Sequence, residues 1–233
     1  MSRNIPITAV DQYDFLEHRR EQEKKHWKGI QTNSHEMKYT ELSSILTVEM
    51  NTTELCNRTC SFCPRANPEV FPNRNLHMTP KGAEIIGTEL HKNGFRGKIS
   101  LSGYGENLLN PRFQEIVHTL RRTVPHATLE CNTNGDKLTY EYANMLFEFS
   151  GLDMLYINLY DGIEQADHFD VIMRDVPQAN YKYRMHWGEV ENHGLILNNR
   201  SGVMDWVGVE DSTIEALQGK PCHYPFYKMF VDW

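Results

Sequence analysis

The chain has 233 residues, a net charge of −7 and 39% hydrophobic residues, enough for one domain with a sizeable core, or one domain with a short appendage. No apolar run approaches the roughly 20 residues that cross a bilayer, and the acidic balance argues against a protein whose main task is gripping nucleic-acid phosphates. The opening Met1-Ser2-Arg3-Asn4 lacks the charged-then-apolar order of a secretion signal. Five cysteines, three of them clustered, do not form a secreted disulfide framework. The expectation is a cytoplasmic protein with neither membrane nor nucleic acid as partner.

In chain order, residues 1–43 read as an N-terminal helical arm, with the alternating charges of Glu17 to Lys25 marking a solvated helix. From residue 44 to 200 strand-like and helix-like segments alternate, the pattern of an α/β fold with parallel strands. Strands are predicted at Ile45–Asn51, Lys98–Ser102, Thr128–Asn132, Met154–Tyr160 and Tyr181–His186, with a sixth at Gly194–Asn198. Helices are predicted from Pro80 to about Asn93, from Pro111, around Tyr140–Phe149 and around Ile163–Met173. Thr79 and Pro80 supply a cap and a first helical residue, and Gly94 a stop. Residues 201–233 form a C-terminal segment.

Side chains alternate across a strand. Val48, Ile99, Leu101, Leu129, Cys131, Leu155, Ile157 and Leu159 fall on one face. Glu49, Asn51, Ser100, Ser102, Glu130, Asn132, Asn134, Tyr156, Asn158 and Tyr160 fall on the other. Parallel sheets are covered on both faces, and an ordinary closed barrel fills its lumen with branched apolar side chains. A polar inner face therefore predicts a partial barrel holding a polar ligand; the alternative is an open sheet with its polar side in water.

The densest chemistry lies after the first strand, where Cys56, Cys60 and Cys63 stand in the spacing CxxxCxxC. Three thiolates can hold three irons of a cubane and leave the fourth open, whereas a full protein shell uses four cysteines. A structural zinc site is the alternative and would recruit a fourth ligand from afar. After the second strand comes Gly103-Tyr104-Gly105-Glu106-Asn107-Leu108-Leu109-Asn110-Pro111, and after the third Asn132-Thr133-Asn134-Gly135. Cys131 has the parity of the apolar face and reads as a buried structural cysteine. Arg174, Arg184 and His186 fall after the fourth strand and on the fifth, toward the expected substrate mouth, where arginine could clamp an anion and histidine move a proton; taken singly, each reads as a surface or packing residue. Asn199-Arg200-Ser201-Gly202 is a substrate loop or a turn.

The cysteine run, with Phe62 in the slot before the last cysteine, resembles the CxxxCxΦC signature of the radical S-adenosylmethionine (SAM) enzymes. That resemblance covers about residues 44–198 and implies a partial (β/α)6 TIM-like barrel. It implies a 4Fe-4S cluster on Cys56, Cys60 and Cys63 whose open iron is chelated by SAM, reductive cleavage of SAM, and hydrogen-atom abstraction from substrate. Gly103, Gly105 and Glu106 resemble the family's GGE element, implying contacts with the methionine ammonium of SAM; Asn107 stands where proline is usual, a change expected to affect loop stiffness. Asn132 and Asn134 resemble its TNG element, Asn158 stands where many members of that family have a polar residue near the SAM ribose or carboxylate, and Phe62 would contact adenine.

The stretch from Gly219 to Trp233, with Cys222, is similar to the opening of a SPASM or twitch extension cut short. An auxiliary cluster would then require the chain to continue beyond Trp233. The expected partners are a flavodoxin- or ferredoxin-type reductant and a peptide, sugar or sugar-nucleotide substrate. The expected outcome is oxidation, epimerisation or bond formation. A non-catalytic iron–sulfur or zinc module, serving electron transfer or as a scaffold, is the rival.

Overall fold

Six strands form one sheet: β1 (Thr47–Met50), β2 (Lys98–Leu101), β3 (Thr128–Thr133), β4 (Met154–Leu159), β5 (Tyr181–Met185) and β6 (Lys228–Val231). These come from a computed structural model that describes residues 42, 45–186 and 228–232. The strand order is β5-β4-β3-β2-β1-β6 and every pairing is parallel. The five predicted strands from β1 to β5 appear within a residue or two of their expected limits. The chain thus has an α/β fold with a parallel core of the partial (β/α)6 barrel kind. β6 arises in the segment expected to follow the barrel and lies beside β1, with Thr47 opposite Lys228 and Met50 opposite Val231. The N-terminal arm, the strand expected at 194–198, the 199–202 loop and Cys222 lie outside the described residues.

Local chemistry sets the helices. Thr79 Oγ1 accepts the Gly82 N–H at 3.1 Å and Pro80 opens α1 (Pro80–Lys92). Gly94, at φ +77°, turns the chain after it. α2 (Phe113–Thr123) begins two residues after Pro111, with Asn110 Oδ1 accepting the Arg112 N–H at 2.9 Å. α3 (Tyr140–Asn144), capped by Thr139, continues as a π-helical turn over Met145–Phe149. α4 (Gln165–Met173) starts at a glutamine whose Oε1 accepts the Tyr160 and Asp161 N–H groups at 2.7 and 2.8 Å, so its first residue also closes the end of β4.

The two faces of the sheet separate as the alternation predicts. Val48, Ile99, Leu101, Leu129, Cys131, Leu155, Ile157 and Leu159 are fully buried in one apolar cluster with Phe113, Ile116, Leu120 and Leu146. Each large side chain so buried contributes about 1.5–3 kcal/mol. Across the other face Glu49 stands opposite Ser100 and Ser100 opposite Glu130, while Asn132 pairs with Tyr156 and Asn158 with Arg184. Glu130 is compensated by Lys98 at 3.1 Å. Burial of charge there is matched by partners, as desolvation requires.

Candidate active site

The loops that follow β1, β2, β3 and β4 and the end of β5 meet over the polar face and enclose a cavity of about 420 Å³. Cys56, Cys60 and Cys63 all line it, and all are free thiols. Their loop is held by its own backbone: Cys56 N–H donates to Asn73 Oδ1 at 2.9 Å, Asn73 Nδ2 returns a bond to the Cys56 carbonyl at 3.1 Å, and Cys63 N–H donates to the Cys60 carbonyl at 3.0 Å. Burial pushes the Cys56 thiol up, and it carries Cys60 to about 11, helped by the neighbouring Cys63 and Cys56. A thiol ligates a metal only after losing that proton. Among the described residues no group of three or more His, Cys, Asp or Glu side chains is gathered so as to hold a metal ion.

The glycine loop after β2 lies directly on the cysteine loop. A Cβ at Gly105 would stand 1.8 Å from the Thr53 carbonyl oxygen, and one at Gly103 (φ +152°) 2.6 Å from Asn51 Oδ1. Only glycine permits that approach. The contact is sealed by Glu106 N–H donating to the Leu55 carbonyl at 2.7 Å and Gly105 N–H to Asn51 Oδ1 at 3.2 Å.

Glu106 is buried at 4% exposure yet lines the cavity. Its carboxylate accepts from Leu108 N–H at 3.0 Å, Thr133 Oγ1 at 2.7 Å and Asn134 N–H at 2.7 Å. Burial nevertheless raises its pKa, against these bonds. An ionised carboxylate has about four lone-pair sites, so the three protein donors leave room for one more.

Asn107 is a buried hub. Its Nδ2 donates to the Leu101 carbonyl at 2.8 Å and the Asn132 carbonyl at 3.3 Å, while its Oδ1 accepts from Thr52 Oγ1 at 2.6 Å. A proline could make none of these bonds, so the asparagine stiffens the loop by tying three strand ends together. Cys131 is buried in the core with its Sγ near Asn107 Nδ2 at 3.9 Å, off the cavity.

Most of the remaining predicted residues also reach the cavity. Phe62, Asn132, Asn134 and Asn158 line it. Asn134 Nδ2 donates to Asn57 Oδ1 at 2.9 Å, linking the β3 turn to the cysteine loop. Asn132 Oδ1 accepts from Arg184, whose guanidinium carbon lies 3.9 Å from the Tyr156 ring centre. Asn158 Oδ1 and His186 Nε2 are 3.1 Å apart, and the His186 ring stacks against Phe62 and Tyr160 at 5.9 and 5.2 Å. Burial, and then Arg184, lower His186 to about 4, leaving a neutral imidazole whose Nδ1 is buried with no partner among the described residues. Arg174 is exposed at the end of α4 and lines no part of the cavity.

Sequence patterns did not single out Arg58, Phe230 or Arg65, nor the partners of Glu49 and Asn51. Arg58 makes paired bonds to both oxygens of Asp136, at 2.7 and 2.7 Å, and of Asp161, at 2.9 and 2.7 Å, and lies 5.0 Å over the Tyr160 ring. These bonds raise the arginine's pKa and lower that of Asp161. Glu49 reaches Lys228 at 2.5 Å, Asn51 Nδ2 donates to Asp232 Oδ1 at 2.8 Å, and Phe230 closes the cavity near Tyr104 at 6.4 Å. Arg65 lines the cavity as well. The usable signal was position: charged residues just beyond strand ends, where barrel folds build their sites.

Known proteins resemble this chain in sequence and in fold. The chain is 28% identical over 174 residues to the S-adenosyl-L-methionine-dependent 2-deoxy-scyllo-inosamine dehydrogenase of Niallia circulans, the match taking in 70% of this chain and 62% of that protein. The chain thus spans under two thirds of that curated relative. The crystal structure of BtrN in complex with AdoMet and 2-DOIA superposes with a TM-score of 0.61 at 23% identity, covering 81% of this chain and 70% of that one, which shows a shared fold. Residues 50–185, more than half of the chain, match the model of the Radical SAM superfamily. The chain belongs to the radical SAM superfamily.

Proposed function

We propose that the protein is a radical SAM dehydrogenase that oxidises a polyhydroxylated, sugar-like substrate. The observation that carries this reading is the opening of Cys56, Cys60 and Cys63 onto one cavity shared with Gly103, Gly105, Glu106, Asn132, Asn134 and Asn158. The donor set fits a 4Fe-4S cluster and SAM. Three free thiols face the cavity, a buried guanidinium beside them lacks a partner among the described residues, and a nearly saturated carboxylate keeps one acceptor site. A cubane with three thiolates has each sulfur on a different iron, so those sulfurs need not converge on one point as zinc ligands do. When bound, this pair supplies the one-electron cleavage of a sulfonium and the removal of a hydrogen atom from substrate.

The chain's own residues bind, orient and exclude water. Cys56, Cys60 and Cys63 ligate the cluster. Gly103 and Gly105 let backbone approach the methionine end of SAM, where Glu106 offers its remaining acceptor site to the ammonium. Asn132, Asn134 and Asn158 hold the ribose and carboxylate, and the Phe62 ring and backbone border the adenine. Arg58, locked between Asp136 and Asp161, keeps the loops after β1, β3 and β4 together. Neutral His186 and Arg184 face the substrate side, where they orient hydroxyl groups.

The curated relative's activity, with a polar mouth built from Arg184, His186 and Glu49, favours a sugar-like substrate over a peptide. Electrons come from a flavodoxin- or ferredoxin-type protein in the cytoplasm. No helix among the described residues is long and apolar enough to cross a membrane.

Anaerobic reconstitution should give about four irons per chain and, with SAM and dithionite, 5′-deoxyadenosine. Cys56→Ala, Cys60→Ala and Cys63→Ala should each abolish that product. Retention of SAM cleavage by all three variants would overturn the reading.

A further inference from the structure

Arg65 follows the last cysteine by two residues, in a short 3-10 turn over Pro64–Ala66. The residue is 6% exposed, and none of its Nε, Nη1 and Nη2 atoms has a hydrogen-bond partner among the described residues. Its guanidinium carbon lies 5.2 Å from the Phe71 ring centre, so one face is covered by an aromatic ring. The nearby Glu54 is already engaged by Arg74 at 2.8 Å. An arginine stays charged and presents five N–H donors in a fixed fork. Leaving that fork buried and unused is costly, and surface arginines have no need of such a setting. The cavity wall shared with the three cysteines indicates where the missing acceptor sits.

We propose that Arg65 donates hydrogen bonds to the sulfurs of the iron–sulfur cluster and thereby sets its reduction potential. The inference rests on the cluster assignment above. The cluster with its thiolates is an anion, and becomes more negative on taking an electron. A fixed cation with N–H groups on the sulfurs therefore stabilises the reduced state and raises the potential, since net charge and hydrogen bonds to sulfur are the protein's main levers. Arg65 is on this view a positioning and tuning residue, packed onto Phe71 so that its fork faces the cofactor.

The test is a redox titration of the reconstituted cluster without SAM, followed by electron paramagnetic resonance, on the wild-type chain and on Arg65→Gln and Arg65→Lys. Removing charge and fork in Arg65→Gln should shift the reduction equilibrium at least tenfold toward the oxidised form, about 59 mV for a one-electron couple. Arg65→Lys should fall between that value and the wild type. An unchanged potential in Arg65→Gln overturns the proposal, including the case in which SAM affinity alone weakens, which would mean that the fork serves SAM. If Arg65→Gln holds no cluster, Arg65→Lys decides, and a potential equal to wild type overturns the hydrogen-bonding role. Failure of the wild-type chain to take up iron and sulfide defeats the cluster assignment itself, a result separable from any change between variants.

Discussion

The two walls of the cavity are built differently. On one side the loops after β1, β2 and β3 interlock: glycine backbone rests on the Thr53 carbonyl, Asn107 ties strand ends, and Glu106 bridges two loops through three short bonds. On the other side the ends of β4, β5 and β6 bring side chains rather than backbone: Asn158, Tyr160, Arg184, His186 and Phe230. Backbone contacts between loops fix geometry closely and tolerate few substitutions. Side chains can be exchanged without moving the strands that carry them. An interlocked wall suits a ligand that must be held in one geometry, and a side-chain wall suits recognition that can change one residue at a time, since function resides in sites grafted on a shared fold.

The sharpest way to break the interlocked wall is Gly105→Ala. With the Thr53 carbonyl oxygen 1.8 Å from the new Cβ, one of two backbones must move. Overpacking of this kind costs about 3 kcal/mol, and differential scanning calorimetry should show a melting temperature lower by about 6–12 °C. An unchanged melting temperature would mean that the two loops are not in contact.

Glu106→Gln is expected to have the next largest effect. An amide in place of the carboxylate can keep bonds to Leu108 and Thr133 through its oxygen, but it turns an NH₂ group against the Asn134 N–H. The unmade buried bond costs about 2 kcal/mol, readable by urea titration. Titration calorimetry should show SAM binding weakened roughly tenfold. Loss of stability without loss of SAM affinity would reduce Glu106 to a loop tie.

On the side-chain wall the expected effect is a pH dependence. His186 is lowered from 6.5 to about 4 by burial, so the unfolded chain takes up a proton that the folded chain refuses. Its contribution is therefore fully present above pH 6.5, is lost progressively as the pH falls from 6.5 to about 4, and changes no further below that. His186→Phe, which keeps the stack between Phe62 and Tyr160, should flatten this part of the stability curve relative to wild type. Parallel curves for the two proteins would place the imidazole in water.

The smallest effect belongs to neither wall. Glu84 is bonded to Lys81 and Arg122 at 2.8 Å each, on the outer surface of α1 and α2. Exposed pairs of this kind add little, so Arg122→Gln should leave both the melting temperature and SAM binding unchanged within error.

The strands, the capped helices and the polar-versus-apolar split of the sheet could be read along the chain because each rests on a short repeat: alternation at two residues, Thr-Pro at a helix start, glycine at its end. That the cysteine triplet, the two loop glycines and the asparagines of the β3 turn share one cavity follows from the same strand reading, since each lies at the end of a readable strand or in the loop after it. Three features were not readable. Lys228–Val231 becomes a strand because it finds β1, far away in the chain, and nothing in four residues names that partner. Arg58 becomes a clamp only when Asp136 and Asp161 arrive from the ends of two later strands. Arg65 looks like any arginine after a cysteine until folding buries it with no acceptor among the described residues. Local patterns specify which face a residue takes. Which charges meet, and which one is left facing the cavity, depends on closing long loops, a matter of three-dimensional packing that no window of sequence contains.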